Sequence, residues 1–226
     1  NEIGRELSSI LDLEQLLKKV AELLQRVFRY QVFSIMLVDE EEQVLRSRLA
    51  VKFNRDTVEK SKIPLGKGLV GSAVTKKKSL RINDVSKDPR YIGVLPETRS
   101  ELVVPLIYKG KAIGVFDLQS PFLNYFTQAH EETLSALASH VAVAIENARL
   151  YERVVEAEAR LDRELKFARE IQSSLIPDRF PEVPGTSFWA EFRPARTLGG
   201  DLYDFFPYDD DKVAIAIGDV SGKGAP

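Results

Sequence analysis

Two aspartates near the end of the chain could bind metal ions, because each directly follows a glycine and two β-rich runs lie between them. The aspartates are Asp201 and Asp219, and the β-rich runs are residues 202–206 and 213–217. If these runs pair antiparallel, the start of one strand lies beside the end of the other, and the two carboxylates converge at one sheet edge. Hard divalent cations bind such oxygens, and a pair of cations activates water for attack on a phosphate ester. Aspartate beside glycine is also common in ordinary turns, so a structural role stays open.

Three other segments match binding-loop patterns only in part. Residues 66–71 read Gly-Lys-Gly-Leu-Val-Gly, but residues 62–64 before them are a poor central parallel strand because Pro64 lacks an N–H group. Residues 218–224 have one residue too few for a phosphate-binding loop and no hydroxyl after the lysine. Residues 209–211 lack the alternating ligands of a calcium loop. We interpret the glycines as backbone turns and the aspartate triplet as a solvated hairpin tip.

The composition argues against several classes of partner and site. A net charge of −2 over 226 residues gives no broad positive field, so we expect neither nucleic acid nor membrane as a partner. No apolar run approaches the ~20 residues of a membrane span, and residues 1–5 do not open a leader, so we expect a cytoplasmic protein. Zero cysteines exclude disulfides, thiolate-held metals and a cysteine nucleophile. With only His130 and His140, a histidine-built metal site is not expected.

The first 148 residues are predicted to form one α+β domain, in which helices flank an antiparallel sheet. Apolar residues at helical spacing predict one amphipathic helix from Leu7 to Phe28 and a short helix from Val70 to Thr75. The middle segment, Ile63 to Tyr91, is expected to cover one face of the sheet. Two β-hairpins are predicted, with strands at residues 32–38 and 44–51 and at residues 102–108 and 112–118.

A long helix is predicted from Gln128 to about Ile176, because Thr127 can cap it and no proline or glycine interrupts it before Pro177. Its roughly 49 residues would span ~74 Å, so the helix must project beyond its own domain. Residues 149–177 are interpreted as a coiled-coil linker in a homodimer, because a second copy would cover the apolar positions Leu150, Val154, Ala157, Leu161, Leu165, Ala168 and Leu175. A helix that folds back on its own domain is the alternative.

A second domain is expected at residues 178–226. The segment that leads into it has the composition of a linker, since Pro177, Pro181 and Pro184 precede Gly185. Three strands are predicted after this segment, at residues 187–192, 202–206 and 213–217.

The region around the two aspartates resembles the start of the SpoIIE/RsbU-type phosphatases, a bacterial branch of the metal-dependent PPM serine/threonine phosphatases. The resemblance lies in residues 168–177, 196–204 and 217–224. It implies the opening part of a PPM β-sandwich, in which Asp201 and Asp219 hold two divalent cations, Mn²⁺ or Mg²⁺. The Val220 carbonyl would be a third ligand, and Arg196 would orient the phosphate. The remaining metal-binding aspartates of the family lie further downstream, so we expect these 226 residues alone to be inactive.

Residues 5–150 resemble a GAF domain. The resemblance lies in residues 63–71, 83–85 and 88–91, in the strand pair around Lys109-Gly110 and in residues 144–148. It implies a small-ligand pocket beneath the middle segment of the chain. The ligand is not identified, because the Asn-Lys-Phe-Asp-Glu pattern of cyclic-nucleotide GAF domains is not intact and the absence of cysteine excludes a thioether-linked bilin.

Two functions remain open from these resemblances. In the first, a dimeric GAF sensor acts through the helix pair on a phosphatase that removes phosphate from serine or threonine of a partner protein, in this family an anti-anti-sigma factor. Ligand or partner binding would then favour one of two helix packings. In the second, the chain is a GAF ligand-binding and dimerisation module without catalysis.

Overall fold

The computed structural model describes residues 2–28, 30–51, 62–93, 95–194, 197–209 and 212–219. The chain divides into two compact units, Asn1–Arg153 and Val154–Pro226. None of the helices in the described ranges is long and apolar enough to span a membrane.

The first unit contains a sheet of six strands and its covering helices. The helices are α1 (Glu2–Ser8), α2 (Leu13–Val27), α3 (Gly68–Lys76) and the first part of α4 (Gln128–Leu175). The strands are β1 (Val32–Asp39), β2 (Val44–Val51), β3 (Lys62–Pro64), β4 (Leu80–Ile82), β5 (Ser100–Tyr108) and β6 (Lys111–Ser120). A single 3₁₀ turn, Val85–Lys87, follows β4. Both predicted hairpins and the short middle helix are confirmed.

The N-terminal region forms two helices, so the prediction of one helix from Leu7 to Phe28 is wrong. The first helix ends at Ser8, whose successor Ser9 donates its hydroxyl to the Glu6 carbonyl oxygen at 2.8 Å. Asp12 then caps the second helix, because its Oδ1 accepts a hydrogen bond from the Gln15 amide at 2.8 Å. The apolar periodicity runs across this break, which explains why spacing alone did not reveal it.

All neighbouring strands of the six-stranded sheet are antiparallel, in the order β3-β2-β1-β6-β5-β4. The β1–β6 pairing joins the two hairpins into one sheet. Strand β3 lies at an edge of the sheet. Pro64, which has no N–H group to donate, is tolerated there because an edge strand pairs on one side only. The strand before the glycine loop is therefore not part of a parallel nucleotide-binding unit, in agreement with the rejection of the G-x-G-x-x-G pattern.

Both faces of the sheet are covered, because apolar residues occupy alternate positions on each side of the central strands. Helices α1, α2 and α4 cover one face, where the largest fully buried side chains include Leu7, Leu16, Leu24, Phe33, Ile35, Leu102, Leu106, Phe116 and Leu118. Helix α3 covers the opposite face, where the buried apolar residues are Met36, Leu45, Leu69, Val70, Ala73, Val74, Val103, Ala112 and Val115. The middle segment covers a sheet face as predicted.

Helix α4 is continuous over 48 residues, close to the predicted extent. Thr127 caps it, since its Oγ1 accepts a hydrogen bond from the His130 amide at 3.2 Å and its amide faces His130 Nδ1 at 3.4 Å. Its buried residues end at Ala148. Further along, Leu150, Val154, Leu161, Leu165 and Leu175 of the predicted stripe are exposed. Pairing of this stripe with a second copy stays a prediction.

The second unit contains the end of α4 and a hairpin of β7 (Asp201–Asp209) and β8 (Lys212–Asp219). The predicted hairpin is confirmed and is longer than expected. The predicted strand at residues 187–192 is wrong, because this described segment contains no strand. The ring of Phe188 instead packs on Phe205 of β7 at a centroid distance of 5.4 Å, so the segment contacts the hairpin through side chains.

Gly114 in β6 is expected to be intolerant of a side chain. An added Cβ would lie 2.5 Å from the Met36 carbonyl oxygen and 2.8 Å from Leu37 Cδ2 on the neighbouring strand. We expect Gly114→Ala to lower the free energy of unfolding by about 1–3 kcal/mol, measured by urea denaturation. Gly218→Ala is the control, because its Cβ would meet Leu202 only at 3.4 Å or more. An unchanged unfolding free energy for Gly114→Ala would contradict the close approach of these strands.

Candidate functional site

A row of polar side chains interrupts the apolar sheet face beneath α3 and the loop that precedes β5. Ser34 of β1 lies directly opposite Asp117 of β6, and Glu101 of β5 lies directly opposite Gln119 of β6. Glu101 and Asp117 are therefore diagonal neighbours on one face, within reach of each other's side chains. Only 4% of Glu101 and 5% of Asp117 is exposed. Two carboxyl groups thus lie together in a site that excludes water.

Hydrogen bonds in this row converge on one oxygen of Asp117. Gln119 Nε2 donates to Asp117 Oδ2 at 3.0 Å, and the Ser34 hydroxyl approaches the same oxygen at 3.5 Å. Thr98 Oγ1 in turn donates to Gln119 Oε1 at 2.9 Å, which fixes the orientation of the amide. The second oxygen, Asp117 Oδ1, is buried and accepts no hydrogen bond from an amide or alcohol group in the described part of the chain. An unpartnered buried acceptor carries a free-energy penalty that a donor would relieve.

Burial makes this pair of carboxyl groups hold protons more tightly than usual. The pKa of Glu101 is raised well above its ordinary value, first by burial and then by the negative charge of Asp117. Burial also raises the pKa of Asp117 to about 6, against the opposing effect of hydrogen bonds from Gln119, Glu101 and Ser34. Two carboxyl groups in contact repel each other when both are ionised. Glu101 therefore keeps its proton and can donate it in a hydrogen bond to the Asp117 carboxylate.

A cavity of about 410 Å³ lies beside the polar row, lined by Val85, Ser86, Tyr91, Gly93, Leu95, Pro96, Thr98 and Arg99. Thr98 links the cavity wall to Asp117 through Gln119. Burial raises the pKa of the Tyr91 hydroxyl; interaction with Thr98 opposes this effect, and the charges of Glu101 and Asp117 add to it. The carboxyl pair is therefore one side chain behind the cavity wall.

The turn at residues 88–91 positions Tyr91 on the cavity. The Asp88 carboxylate accepts hydrogen bonds from the Arg90 amide at 3.0 Å and from Arg90 Nε at 2.9 Å. The Tyr91 amide donates to the Asp88 carbonyl oxygen at 3.0 Å. Such aspartate-initiated turns arise because the short side chain bonds to the backbone two residues on. A local sequence signal thus places one wall of the site.

Sequence reasoning identified the region of this site but not its carboxyl pair. A signal was present, since Glu101 precedes the apolar run Leu102 to Leu106, and Asp117 interrupts the apolar run Ile113 to Leu118. A charged residue inside a strand that is buried on both faces is unusual enough to mark a site. That the two carboxyl groups meet depends on the pairing of β5 with β6.

The structure places the two predicted metal-binding aspartates directly opposite each other. Asp201 and Asp219 are register partners at one end of the β7–β8 hairpin, and both are exposed. The other two predicted site residues, Arg196 and Val220, lie outside the described residues. No group of three or more metal-binding side chains occurs within the described ranges. The expected meeting of the two strand ends is observed, and metal binding there stays a prediction.

Two proteins of Bacillus subtilis (strain 168) are similar to parts of the chain. Protein YtsP is 36% identical over 84 residues, which are 37% of this chain and 52% of that protein. Phosphoserine phosphatase RsbU is 35% identical over 63 residues, which are 28% of this chain and 18% of that protein. The chain therefore spans about half the length of the first and less than a fifth of the second.

The fold is similar to that of free methionine-R-sulfoxide reductase from Neisseria meningitidis, solved in complex with its substrate. The TM-score is 0.60 with 28% sequence identity, and the match covers 66% of this chain and 87% of that structure. The family model of the GAF domain matches residues 10–146, which are more than half of the chain. This match spans the six-stranded sheet, its buried carboxyl pair and the cavity beside them. The chain belongs to the GAF domain family.

Proposed function

We propose that this chain carries the sensory domain and the linker helix of a signalling phosphatase that hydrolyses phosphoserine or phosphothreonine on a partner protein. The observation that carries the proposal is the pairing of Asp201 with Asp219 at the exposed end of the β7–β8 hairpin. The similarity to a phosphoserine phosphatase supports it. A phosphorylated protein of the anti-anti-sigma factor type is the proposed substrate.

The two aspartates fit a divalent metal site of the Mn²⁺ or Mg²⁺ kind. Directly opposed residues of an antiparallel pair have Cα atoms about 4.5–5.5 Å apart, so both carboxylates can reach a common ion or two adjacent ions. Their exposure leaves room for the water ligands that these cations retain. Bound cations would supply an activated water and neutralise phosphate charge. Val220 and Arg196 keep their proposed roles as carbonyl ligand and phosphate-orienting group.

We propose that two copies of the chain pair through the exposed part of α4. The exposed apolar side chains Leu150, Val154, Leu161 and Leu165 recur at intervals of four and seven residues along one helix. A second identical stripe in parallel would bury them by coiled-coil packing. The steps between Val154, Ala157, Leu161 and Leu165 are three, four and four, which would shift the supercoil phase locally. Two helix packings of similar free energy would let the sensor control the enzyme.

A second candidate function is binding of a small molecule by the GAF domain without catalysis by this chain. The observation that favours it is the buried Asp117 Oδ1, which accepts no hydrogen bond from an amide or alcohol group of the described residues. A ligand that carries an ammonium or another N–H donor would satisfy this oxygen and offset the negative charge. The similar reductase is named for free methionine-R-sulfoxide, an amino-acid derivative that carries such an ammonium group. Thiol-based reduction is not open to this chain because it has no cysteine.

The phosphatase proposal predicts that both aspartates are needed for activity in the full-length protein. Asp201→Asn and Asp219→Asn should each lower the Mn²⁺-dependent release of phosphate from a phosphoserine protein by at least about 100-fold, because each removes a charged metal ligand. The readout is phosphate release at several Mn²⁺ concentrations. Asp209→Asn is the matched control, since this aspartate lies at the other end of the same strand. Full activity in both variants would refute the metal site.

The carboxyl pair predicts a stability that falls as pH rises. Both folded-state pKa values are raised, so the folded protein binds more protons than the unfolded chain between pH ~4 and the folded pKa values. The contribution of the pair to stability is then fully present below pH ~4 and is lost as pH rises through about 6 for Asp117. Glu101→Gln removes one buried acid, so we expect it to raise the unfolding free energy at pH 8 by about 1–3 kcal/mol and to change little at pH 5.

The measurement is urea denaturation at pH 5 and pH 8, followed by circular dichroism. Glu97→Gln is the matched control, because Glu97 is exposed in the loop before β5. It should leave the pH dependence of the wild type unchanged. An identical pH dependence for Glu101→Gln and wild type would show that the pair does not hold its proton in the folded state.

Ligand binding at the pair is tested with free L-methionine R-sulfoxide as the probe. We expect it to raise the melting temperature of the wild type in a concentration-dependent manner, because binding to the folded state alone is stabilising. Asp117→Asn should lose most of this increase, since it removes the charge that attracts the ammonium group. Glu97→Gln should keep the increase. No increase in the wild type, or an equal increase in Asp117→Asn, would contradict an ammonium site.

A further inference from the structure

The side chain of Gln172, in the last turn of α4, makes two hydrogen bonds with the backbone of one distant residue. Its Nε2 donates to the Gly199 carbonyl oxygen at 2.7 Å, and its Oε1 accepts from the Gly199 amide at 3.0 Å. Donor and acceptor of the amide are both used, so the two contacts fix the orientation of the side chain. The end of the helix is thereby tied to a loop 27 residues further along the chain.

Gly199 lies two residues before Asp201, the proposed metal ligand. Two residues of extended chain span at most about 7 Å. A shift of Gly199 larger than the play in this short segment must therefore move Asp201 as well. Gly199 is also tightly packed, because a Cβ added there would overlap the Phe192 ring and lie 3.3 Å from Pro194 Cβ. The backbone before β7 therefore contacts both the Gln172 amide and the Phe192 ring.

The contact made by Gln172 differs from the usual contact of a polar side chain at a helix end. Polar side chains in the last turn of a helix often bond to the helix's own free carbonyl groups. Gln172 instead satisfies both polar groups of a residue that belongs to no strand or helix. The contact therefore acts on the loop that leads into the metal-binding strand, and it gives that loop a fixed position relative to the helix end.

We propose that Gln172 is a positioning residue that couples the linker helix to the metal site. The inference rests on the proposed function, because it takes Asp201 as a metal ligand. A change in the packing of α4 that moves its last turn would carry Gly199 with it and alter the separation of Asp201 from Asp219. The metal site would then be complete in one helix packing and distorted in the other. Regulation of the phosphatase would act on metal affinity through this amide.

The test measures Mn²⁺ binding directly in the full-length protein, by titration with detection of free Mn²⁺ by electron paramagnetic resonance. Gln172→Leu removes both hydrogen bonds at similar size and should weaken Mn²⁺ binding by about 10-fold or more, the usual effect of losing a partner that orients a metal ligand. Gln172→Glu keeps the acceptor for the Gly199 amide but replaces the donor with an oxygen that repels the Gly199 carbonyl oxygen, so we expect it to weaken Mn²⁺ binding as well. Ser173→Ala, at the exposed neighbouring position, should bind Mn²⁺ as the wild type does.

The outcomes separate this inference from the phosphatase proposal. Wild-type Mn²⁺ affinity in Gln172→Leu, together with loss of binding in Asp201→Asn, would overturn the positioning role and leave the metal site standing. Unchanged binding in Asp201→Asn would overturn the metal site itself. Circular dichroism reports whether each variant folds. If Gln172→Leu does not fold, Gln172→Glu decides the question, and wild-type affinity in that variant would overturn the inference.

Discussion

The antiparallel pairing of β1 with β6 is the constraint on which the GAF domain depends. Each hairpin alone could form from local sequence, but only this pairing joins them into one sheet with two buried faces. Helices α1, α2 and α4 then have one continuous apolar surface to cover, and α3 has the other. The same pairing brings Ser34 opposite Asp117 and encloses the carboxyl pair between sheet and covering segment. The two covered faces of the core therefore arise from a single long-range contact, whereas the meeting of Glu101 with Asp117 follows from the pairing of β5 with β6.

The buried carboxyl pair lowers the stability of the folded domain and is a candidate for binding a ligand. Removing two acids from water is costly, and the domain offsets this cost with a retained proton and with hydrogen bonds from Gln119 and Ser34. Within the described residues, one oxygen of Asp117 accepts no hydrogen bond from an amide or alcohol group. Buried polar atoms of this kind are rare, so this oxygen marks the pair as a candidate binding site.

The linker helix combines two kinds of surface along one continuous element. Its first part is buried against the sheet through residues up to Ala148, and its later apolar positions are exposed. At its last turn the side chain of Gln172 holds the backbone of Gly199.

Sequence by itself determined the elements whose signals are local. Period-two and helical apolar patterns identified the two hairpins of the sheet, helix α3, helix α4 and the β7–β8 hairpin, because each pattern lies within one element. Only the tertiary structure decided the split of the N-terminal helix at Asp12, the absence of a strand at residues 187–192, the meeting of Glu101 with Asp117 and the contact of Gln172 with Gly199. The helix splits because a capping side chain can end a helix although the apolar periodicity continues. Residues 187–192 form no strand because a strand needs a neighbouring strand to pair with. The two contacts join groups that are distant in the sequence. The cap at Asp12 is a local signal that the continuous apolar periodicity masked, whereas the other three features depend on contacts between different segments of the chain.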